Sequence, residues 1–326
     1  MQLILHVGLP KTATTTIQHV MDASKSLLVE RGVLYPATTK TQMELVRRTQ
    51  FRQREGETGP GSLGEAMGWV AEEARVARPE RIVLSCERMI LVSAGSVARM
   101  QAAVATWLPE VDEIRVLAYV RDPISWATSL CQQRLKMGTA RLAEFAADPW
   151  PLGLEDMLSK YVLRYGLEAV DLRHLHPEHL ANGNVVDDFM AAIGLPGFVV
   201  PGPAPVLNRS LTLHGAQVAD ILAGRLPRGL REGVRKPLIR RLLQRIEGPR
   251  FVLPRDAQER IITASSTDVE YVRANWGLDL RPKLVEPPEE PELAEEAVLT
   301  LALALVEEVE QVVAEEEGPD EDDDGT

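Results

Sequence analysis

The sequence predicts an α/β fold with a central, mainly parallel sheet. Short apolar segments alternate with amphipathic, helix-like segments from residue 2 to residue 172. The apolar segments are nearly continuous rather than alternating with polar residues, which is typical of strands buried on both faces. A chain of 326 residues is also long enough to bury a large core.

Composition excludes several classes of protein. Apolar residues make up 45% and charged residues 26% of the chain, which is ordinary for a globular protein. No apolar run reaches the length of a membrane span, and the first residues lack the pattern of a signal peptide. The two cysteines, Cys86 and Cys131, are too few for a disulfide scaffold. We therefore expect a cytoplasmic protein.

The net charge of −12 is unevenly distributed. Residues 284–326 hold 17 of the 48 acidic residues and no Lys or Arg, which leaves 36 basic against 31 acidic residues in 1–283. The body therefore carries a net charge of +5. A basic body favours an anionic ligand.

The first elements are a strand over 2–7, a tight turn over 8–11 and a helix over 15–30, which Arg31-Gly32 ends. Residues 40–62 are polar and contain Gly and Pro, so we expect a loop with at most one helix. Residues 63–78 are expected to be helical.

Three more strands are predicted over 81–85, 113–120 and 169–172. A helix is expected over 96–108, between the first two of them. No internal repeat is visible. The loop at 36–65 and residues 130–165 carry no recognisable signature, and we expect them to shape a ligand pocket.

The C-terminal part has a different composition. Residues 225–250 contain nine Arg or Lys and two acidic residues, and a helix is expected near 234–246. A Pro- and Glu-rich linker at 286–291 precedes a helix at 293–314 and an acidic end. We expect an α/β domain at 1–283 and an appendage of linker, helix and acidic tail at 284–326.

The turn after the first strand has the features of a phosphate site. Backbone N–H groups at a helix N-terminus lack partners and carry partial positive charge, so they bind anions. Lys11 adds a full charge, and Thr14, Thr15 and Thr16 add hydroxyl donors. The alternative is that the threonines only cap the helix, but an N-cap by itself would not require a lysine in the turn.

Pro10-Lys11-Thr12-Ala13-Thr14-Thr15 resembles the first signature of sulfotransferases that use 3′-phosphoadenylyl sulfate, Pro-Lys-Ser/Thr-Gly-Thr-Thr. Ala13 departs from the glycine of that pattern. The departure matters only if position 13 needs a positive φ or a close backbone approach, and we expect Ala to be tolerated at a helix start.

A second motif strengthens this resemblance. Val120-Arg121-Asp122-Pro123 ends the strand at 113–120, and Ser129 follows Arg121 by eight residues, as in the second signature of that family. An arginine at the carboxyl end of a parallel strand is well placed for a phosphate. A weaker likeness extends through 168–195, and a separate one covers Leu207-Asn208-Arg209-Ser210-Leu211.

The resemblance implies a P-loop-like, three-layer fold and sulfuryl transfer without a metal. Lys11, Thr12, Thr14 and Thr15 would hold the 5′-phosphosulfate, and Arg121 and Ser129 the 3′-phosphate. The complete expected donor site consists of Pro10, Lys11, Thr12, Ala13, Thr14, Thr15, Arg121, Ser129, Asn208 and Ser210.

A base must take the proton of the acceptor. Glu87, directly after the strand at 81–85, is the first candidate, because a catalytic His follows the corresponding strand in cytosolic members of the family. The alternative is that Glu87 pairs with Arg88 or Arg121. His6 is the second candidate, although a strand histidine more often belongs to the core, and Glu30 is the third.

Two other functions stay open. A P-loop phosphotransferase or hydrolase would need Gly-Lys-Ser/Thr, whereas Lys11 follows Pro10. A nucleotide-binding scaffold without activity would keep the fold alone. Either function would be distinguished from sulfuryl transfer by the nucleotide bound and by activity on hydroxyl acceptors.

We expect a small-molecule or glycan acceptor bearing a hydroxyl or amine, no nucleic acid, no membrane span and no metal. His174, His176 and His179 lack the spacing of a zinc site. The basic segment at 225–250 lacks aromatic residues that could stack on bases, which argues against binding of nucleic acid. It forms either a solvated helix face or a surface that pairs with an acidic acceptor or with the acidic tail. The helix at 293–314 either docks on the body or forms a homodimer.

Overall fold

The computed structural model describes residues 1–36, 42–50, 61–148, 152–201, 210–225, 235–289 and 292–317. The chain forms two compact units. The first consists of Met1–Asp122, Gly153–Leu207 and Thr267–Arg281, and the second of Pro123–Leu152, Asn208–Ser266 and Pro282–Thr326.

The first unit contains a parallel five-stranded sheet. Its strands are β1 (Gln2–His6), β2 (Val33–Leu34), β3 (Arg81–Ser85), β4 (Glu113–Val120) and β5 (Val170–His174). They lie in the order β2-β3-β1-β4-β5, and every pair is parallel. This confirms the predicted α/β fold. Since β1 lies between β3 and β4, the segments that follow these three strands meet at one edge of the sheet.

Fourteen α-helices lie in the described part of the chain. They are α1 (Thr14–Ala23), α2 (Lys25–Glu30), α3 (Met43–Gln50), α4 (Leu63–Ala77), α5 (Ala94–Trp107), α6 (Pro123–Met137), α7 (Leu142–Ala147), α8 (Leu154–Tyr165), α9 (Val185–Ala192), α10 (Leu213–Arg225), α11 (Arg235–Leu243), α12 (Arg255–Ala264), α13 (Ser266–Trp276) and α14 (Glu295–Glu317). Short 3-10 helices cover Glu87–Leu91, Pro177–His179 and Ala181–Gly183.

Helices cover both faces of the sheet, which gives three layers. On one face, Ile4 and Leu117 pack against Ile17 of α1, Leu28 of α2 and Phe189 of α9. On the other face, Leu5 lies among residues of α3, α5 and α8. Burial on both faces explains the nearly continuous apolar character of the strands.

The second unit is helical and includes most of the acidic C-terminal segment. Val298, Ala302, Leu305, Val309 and Val313 are buried along one face of α14, which packs on α10 and α11. An ion pair of 3.7 Å joins Glu308 of α14 to Arg245, within the basic segment. The C-terminal helix therefore docks within its own unit, and the basic segment does meet the acidic helix. A homodimer through this helix stays a prediction.

The structure corrects several predicted boundaries. The helix expected over 15–30 is two helices, because the chain departs from helical geometry at Ser24, where φ is −105° and ψ is 5°. The two-residue strand β2 was not predicted, since two residues are too short for a periodic signal. No helix among the described residues combines the length and apolar character needed to span a membrane.

Candidate functional site

The loop between β1 and α1 forms the centre of the site. Gly8 lies so close to Thr14 that a Cβ at position 8 would be 2.5 Å from the Thr14 Oγ1 atom. Any larger residue would have to move the Thr14 side chain away from the loop, so the present geometry depends on glycine here. It carries Lys11 from the central strand to the N-terminus of α1.

Two residues of this loop have a left-handed backbone conformation. Lys11 has a φ of 72°, and Ala13, the N-cap of α1, has a φ of 63°. Non-glycine residues reach this region at an energetic cost of about 1–2 kcal/mol. The expectation that Ala13 is tolerated as an ordinary helix-start residue is therefore wrong: position 13 has the positive φ at which glycine is favoured.

The hydroxyl groups of the loop differ in their surroundings. The Thr12 Oγ1 atom donates to the Leu9 carbonyl at 2.6 Å, so it holds the turn together. The Thr14 Oγ1 atom is buried and has no hydrogen-bond partner in the described structure. Thr15 is exposed in the first turn of α1. Thr14 therefore provides an unused buried hydroxyl at the helix start.

Arg121 connects the second motif to this loop. It follows β4, which pairs with β1, and its Nη1 atom donates to the Lys11 carbonyl oxygen at 3.2 Å. Burial lowers the pKa of Lys11 and the nearby Arg121 lowers it further, whereas Glu87 opposes this shift. The two motifs, about 110 residues apart in sequence, lie side by side.

Glu87 occupies the first position of the 3-10 helix that follows β3. It is half-buried, and its charge acts on the Lys11 ammonium. Within the described ranges, Glu87 forms no ion pair with Arg88 or Arg121. The sequence left open that Glu87 only pairs with one of these arginines. The described residues do not form that pair, so the carboxylate stays available for a catalytic role.

His6, the second candidate for the base, lies in the core. It is completely buried, and burial lowers its pKa to about 3. Its Nδ1 atom lies 2.8 Å from the Ser85 Oγ atom, and its ring packs against Phe189 with centroids 4.9 Å apart. Its Nε2 atom has no partner among the described residues. This imidazole is held in its neutral form.

Other predicted site residues have different positions. Pro10 is half-buried in the loop, and Glu30 is the exposed last residue of α2. Ser129 is half-buried on α6 and Ser210 is exposed, and both belong to the second unit. Asn208 lies outside the described residues.

Three histidines at and just after the end of β5 cluster together. The rings of His174, His176 and His179 have centroids 4.8–5.9 Å apart. No group of three His, Cys, Asp or Glu side chains in the described ranges is arranged to hold a metal ion. The absence of a metal stays a prediction.

Sequence reasoning missed a polar cluster behind the loop. The Gln18 side chain on α1 donates to the Ser85 carbonyl oxygen at 3.0 Å, and the Gln42 side chain accepts from the Ser85 backbone N–H at 2.8 Å. The first bond ties α1 to the end of β3, and the second ties the residue before α3 to the same strand end. No sequence signal links these residues, because their pairing depends on the strand order.

Comparison with models of known protein families, with curated proteins and with solved structures gave no match to this chain. The function is therefore argued from its own motifs and geometry.

Proposed function

We propose that this protein transfers a sulfuryl group from 3′-phosphoadenylyl sulfate to a hydroxyl or amine of a small-molecule or glycan acceptor. One observation carries the proposal: the Arg121 guanidinium reaches the Lys11 carbonyl at 3.2 Å, so the two cationic motifs are on one edge of the sheet. Two cations so arranged can bind one bisphosphorylated nucleotide.

The loop residues fit a phosphate group. The first N–H groups of α1 have no intrahelical partners, and the buried Thr14 Oγ1 atom beside them is also without a partner. Gly8 leaves no side chain between the loop and Thr14. An oxyanion at this helix start would satisfy donors that are otherwise buried and unused.

The donor supplies the activated sulfuryl group. Lys11 stabilises the negative charge that develops on the phosphate oxygen as its bond to sulfur breaks. Arg121 binds and orients the nucleotide, which raises the effective concentration of the reacting atoms. Lys11 acts in its ammonium form, and a bound dianion favours that form against the desolvation that lowers its pKa.

Glu87 is the proposed base. It follows the strand next to β1, its charge reaches Lys11, and no ion pair among the described residues consumes its carboxylate. It accepts the proton of the acceptor hydroxyl as the new S–O bond forms. His6 does not fit this role, because its buried imidazole is a very weak base.

Calorimetry tests the choice of donor. The desulfated donor, 3′-phosphoadenosine 5′-phosphate, should bind saturably and more tightly than ATP with Mg²⁺. Arg121→Gln should weaken this binding at least about tenfold, whereas Arg88→Gln, at an exposed arginine beside Glu87, should not. Tighter binding of ATP–Mg²⁺ would favour a nucleotide phosphotransferase and overturn the proposal.

Turnover with a panel of hydroxyl acceptors tests the base. Glu87→Gln should lower kcat about a hundredfold and change the affinity for the desulfated donor far less. Glu113→Gln, at the exposed start of β4, is the matched control. Nucleotide binding without turnover on any acceptor would instead indicate a scaffold that lacks activity.

A further inference from the structure

A second cationic site lies at the opposite end of the sheet. A cavity of about 310 Å³ is lined by side chains from the starts of β1 and β3, by β4 and β5, and by the end of α9: Gln2, Arg81, Arg115, Arg173, Ala191, Ala192, Ile193 and Gly194. Three of these residues are arginines. The volume is at the lower end of the range for small-molecule sites.

The cavity is separate from the loop at Lys11. Gln2 and Arg81 are the first residues of β1 and β3 and are directly paired in the sheet. Lys11 and Glu87 follow the last residues of the same two strands. One sheet therefore has cationic groups at both ends.

Two of the three arginines are occupied by partners within the protein. Arg173 donates to both carboxylate oxygens of Asp188, at 2.6 and 2.7 Å. Arg115 pairs with Asp171 and donates to the Ala192 carbonyl at 2.7 Å, at the end of α9. These contacts neutralise two of the three positive charges and fix both side chains at the cavity wall.

Arg81 is different. In the part of the chain that the structure describes, its guanidinium donates no hydrogen bond, and its ion pair with Glu80 is 3.5 Å long. Glu80 is 73% exposed, so water screens this pair. Gly194 lets the guanidinium lie close to the end of α9, because a Cβ there would be 2.9 Å from the Arg81 Cζ atom. The charged Arg81 guanidinium, whose N–H donors are unused among the described residues, thus borders the cavity.

We propose that this cavity binds a small molecule bearing a tetrahedral oxyanion, a phosphate or sulfate monoester, with Arg81 as its main charged contact. A tetrahedral oxyanion accepts hydrogen bonds from the guanidinium of Arg81, and the paired Arg115 and Arg173 side chains also line the cavity. The cavity has room for an organic group beyond the oxyanion. This site is independent of the proposed sulfuryl transfer.

Binding is measured by nuclear magnetic resonance on the full chain. The Lys11→Ala variant serves as the background, because the loop at Lys11 would itself bind phosphate. Inorganic phosphate, inorganic sulfate and glycerol phosphate are the probes, and glycerol is the neutral control. We expect saturable shifts of the Ala192 and Gly194 amides with the anions and none with glycerol. The relative affinities of phosphate and sulfate decide which ester the site prefers.

Three variants locate the binding. Arg81→Gln should weaken it at least about tenfold, and it should leave the fold intact because Arg81 donates no hydrogen bond in the described structure. Glu80→Gln should tighten it about two- to fivefold, since it removes a competing carboxylate. Arg75→Gln is the control, because Arg75 is an exposed arginine paired with Glu72 away from the cavity.

Two results would overturn the proposal: no saturable shift at Ala192 and Gly194 with any anion, or equal affinity in Arg81→Gln and Arg75→Gln. Neither result bears on the loop at Lys11, which is tested with the desulfated donor.

Discussion

Two regions of the first unit, the loop at Lys11 and the arginine cavity, use cationic side chains differently. In the loop, Lys11 forms no ion pair among the described residues, and burial lowers its pKa. At the cavity, Arg173 and Arg115 are paired with Asp188 and Asp171. Both regions carry basic side chains, but only the cavity has most of its positive charge neutralised by the protein itself.

The difference separates stability from binding. A cation held by a buried carboxylate stabilises the fold, and removal of either partner leaves an unpaired buried group. A desolvated cation without a carboxylate destabilises the free protein slightly and gains a partner when an anion binds. Arg173 is a cation held by a buried carboxylate, and Lys11 is a desolvated cation without an ion-pair partner among the described residues. Substitutions in the two regions should therefore change different measurements.

The largest expected effect is at Lys11. Lys11→Ala should lower sulfuryl transfer by a factor of about a hundred or more, because it removes the charge that stabilises the leaving phosphate. The thermal unfolding midpoint should hardly change. Lys25→Ala, which breaks a half-buried pair with Asp22, is the control for loss of a positive charge. Equal activity in the two variants would remove Lys11 from the mechanism.

Asp188 should show the opposite pattern. Its side chain is 2% exposed, and it accepts hydrogen bonds from Arg173, from the Tyr119 hydroxyl at 2.7 Å and from the Ala181 amide at 3.1 Å. Asp188→Asn should lower the free energy of unfolding by about 3 kcal/mol, measured by urea denaturation. Donor affinity in the folded fraction should stay unchanged.

Asp187→Asn is the matched control for Asp188, because it changes a neighbouring carboxylate that makes an exposed hydrogen bond to Asn182. It should alter stability by less than about 0.5 kcal/mol. Similar losses in both variants would mean that the buried network around Asp188 does not stabilise this part of the sheet.

The pH dependence of donor binding isolates the charge of Lys11. Its pKa is lowered mainly by burial, so the free protein loses this positive charge at a lower pH than an ordinary lysine does. Affinity for 3′-phosphoadenosine 5′-phosphate should therefore fall as the pH rises toward the usual lysine range. Lys11→Arg should bind with no such fall, because arginine stays charged there. A fall of the same size in both proteins would assign the effect to another group.

The smallest expected effect is at Ala13. Its φ of 63° is in the left-handed region, so Ala13→Gly should raise the free energy of unfolding by about 1 kcal/mol or less. Urea denaturation measures this change. Ala23→Gly, at the end of the same helix, should destabilise instead. A loss of stability in both variants would show that the loop is not strained at position 13.

The sequence predicts most of the sheet and part of the site. The apolar runs that become β1, β3 and β4 are recognised from the residues alone, and β5 is found with a shift of one or two residues. The break at Ser24 is not predicted, because the apolar spacing of 15–30 continues through it. The arginine cavity is not predicted either, because its three arginines come from three strands that are far apart in the sequence.

The amino-acid sequence by itself determines the parallel α/β fold, the loop with its lysine, and the arginine that follows β4, because burial on both faces and helix starts leave local patterns. Only the tertiary structure decides that Arg121 touches Lys11, that His6 is buried in its neutral form, and that Arg81 keeps unused donors while Arg173 does not. Those outcomes depend on strand order and on which carboxylates are brought near, and neither is encoded in a local pattern.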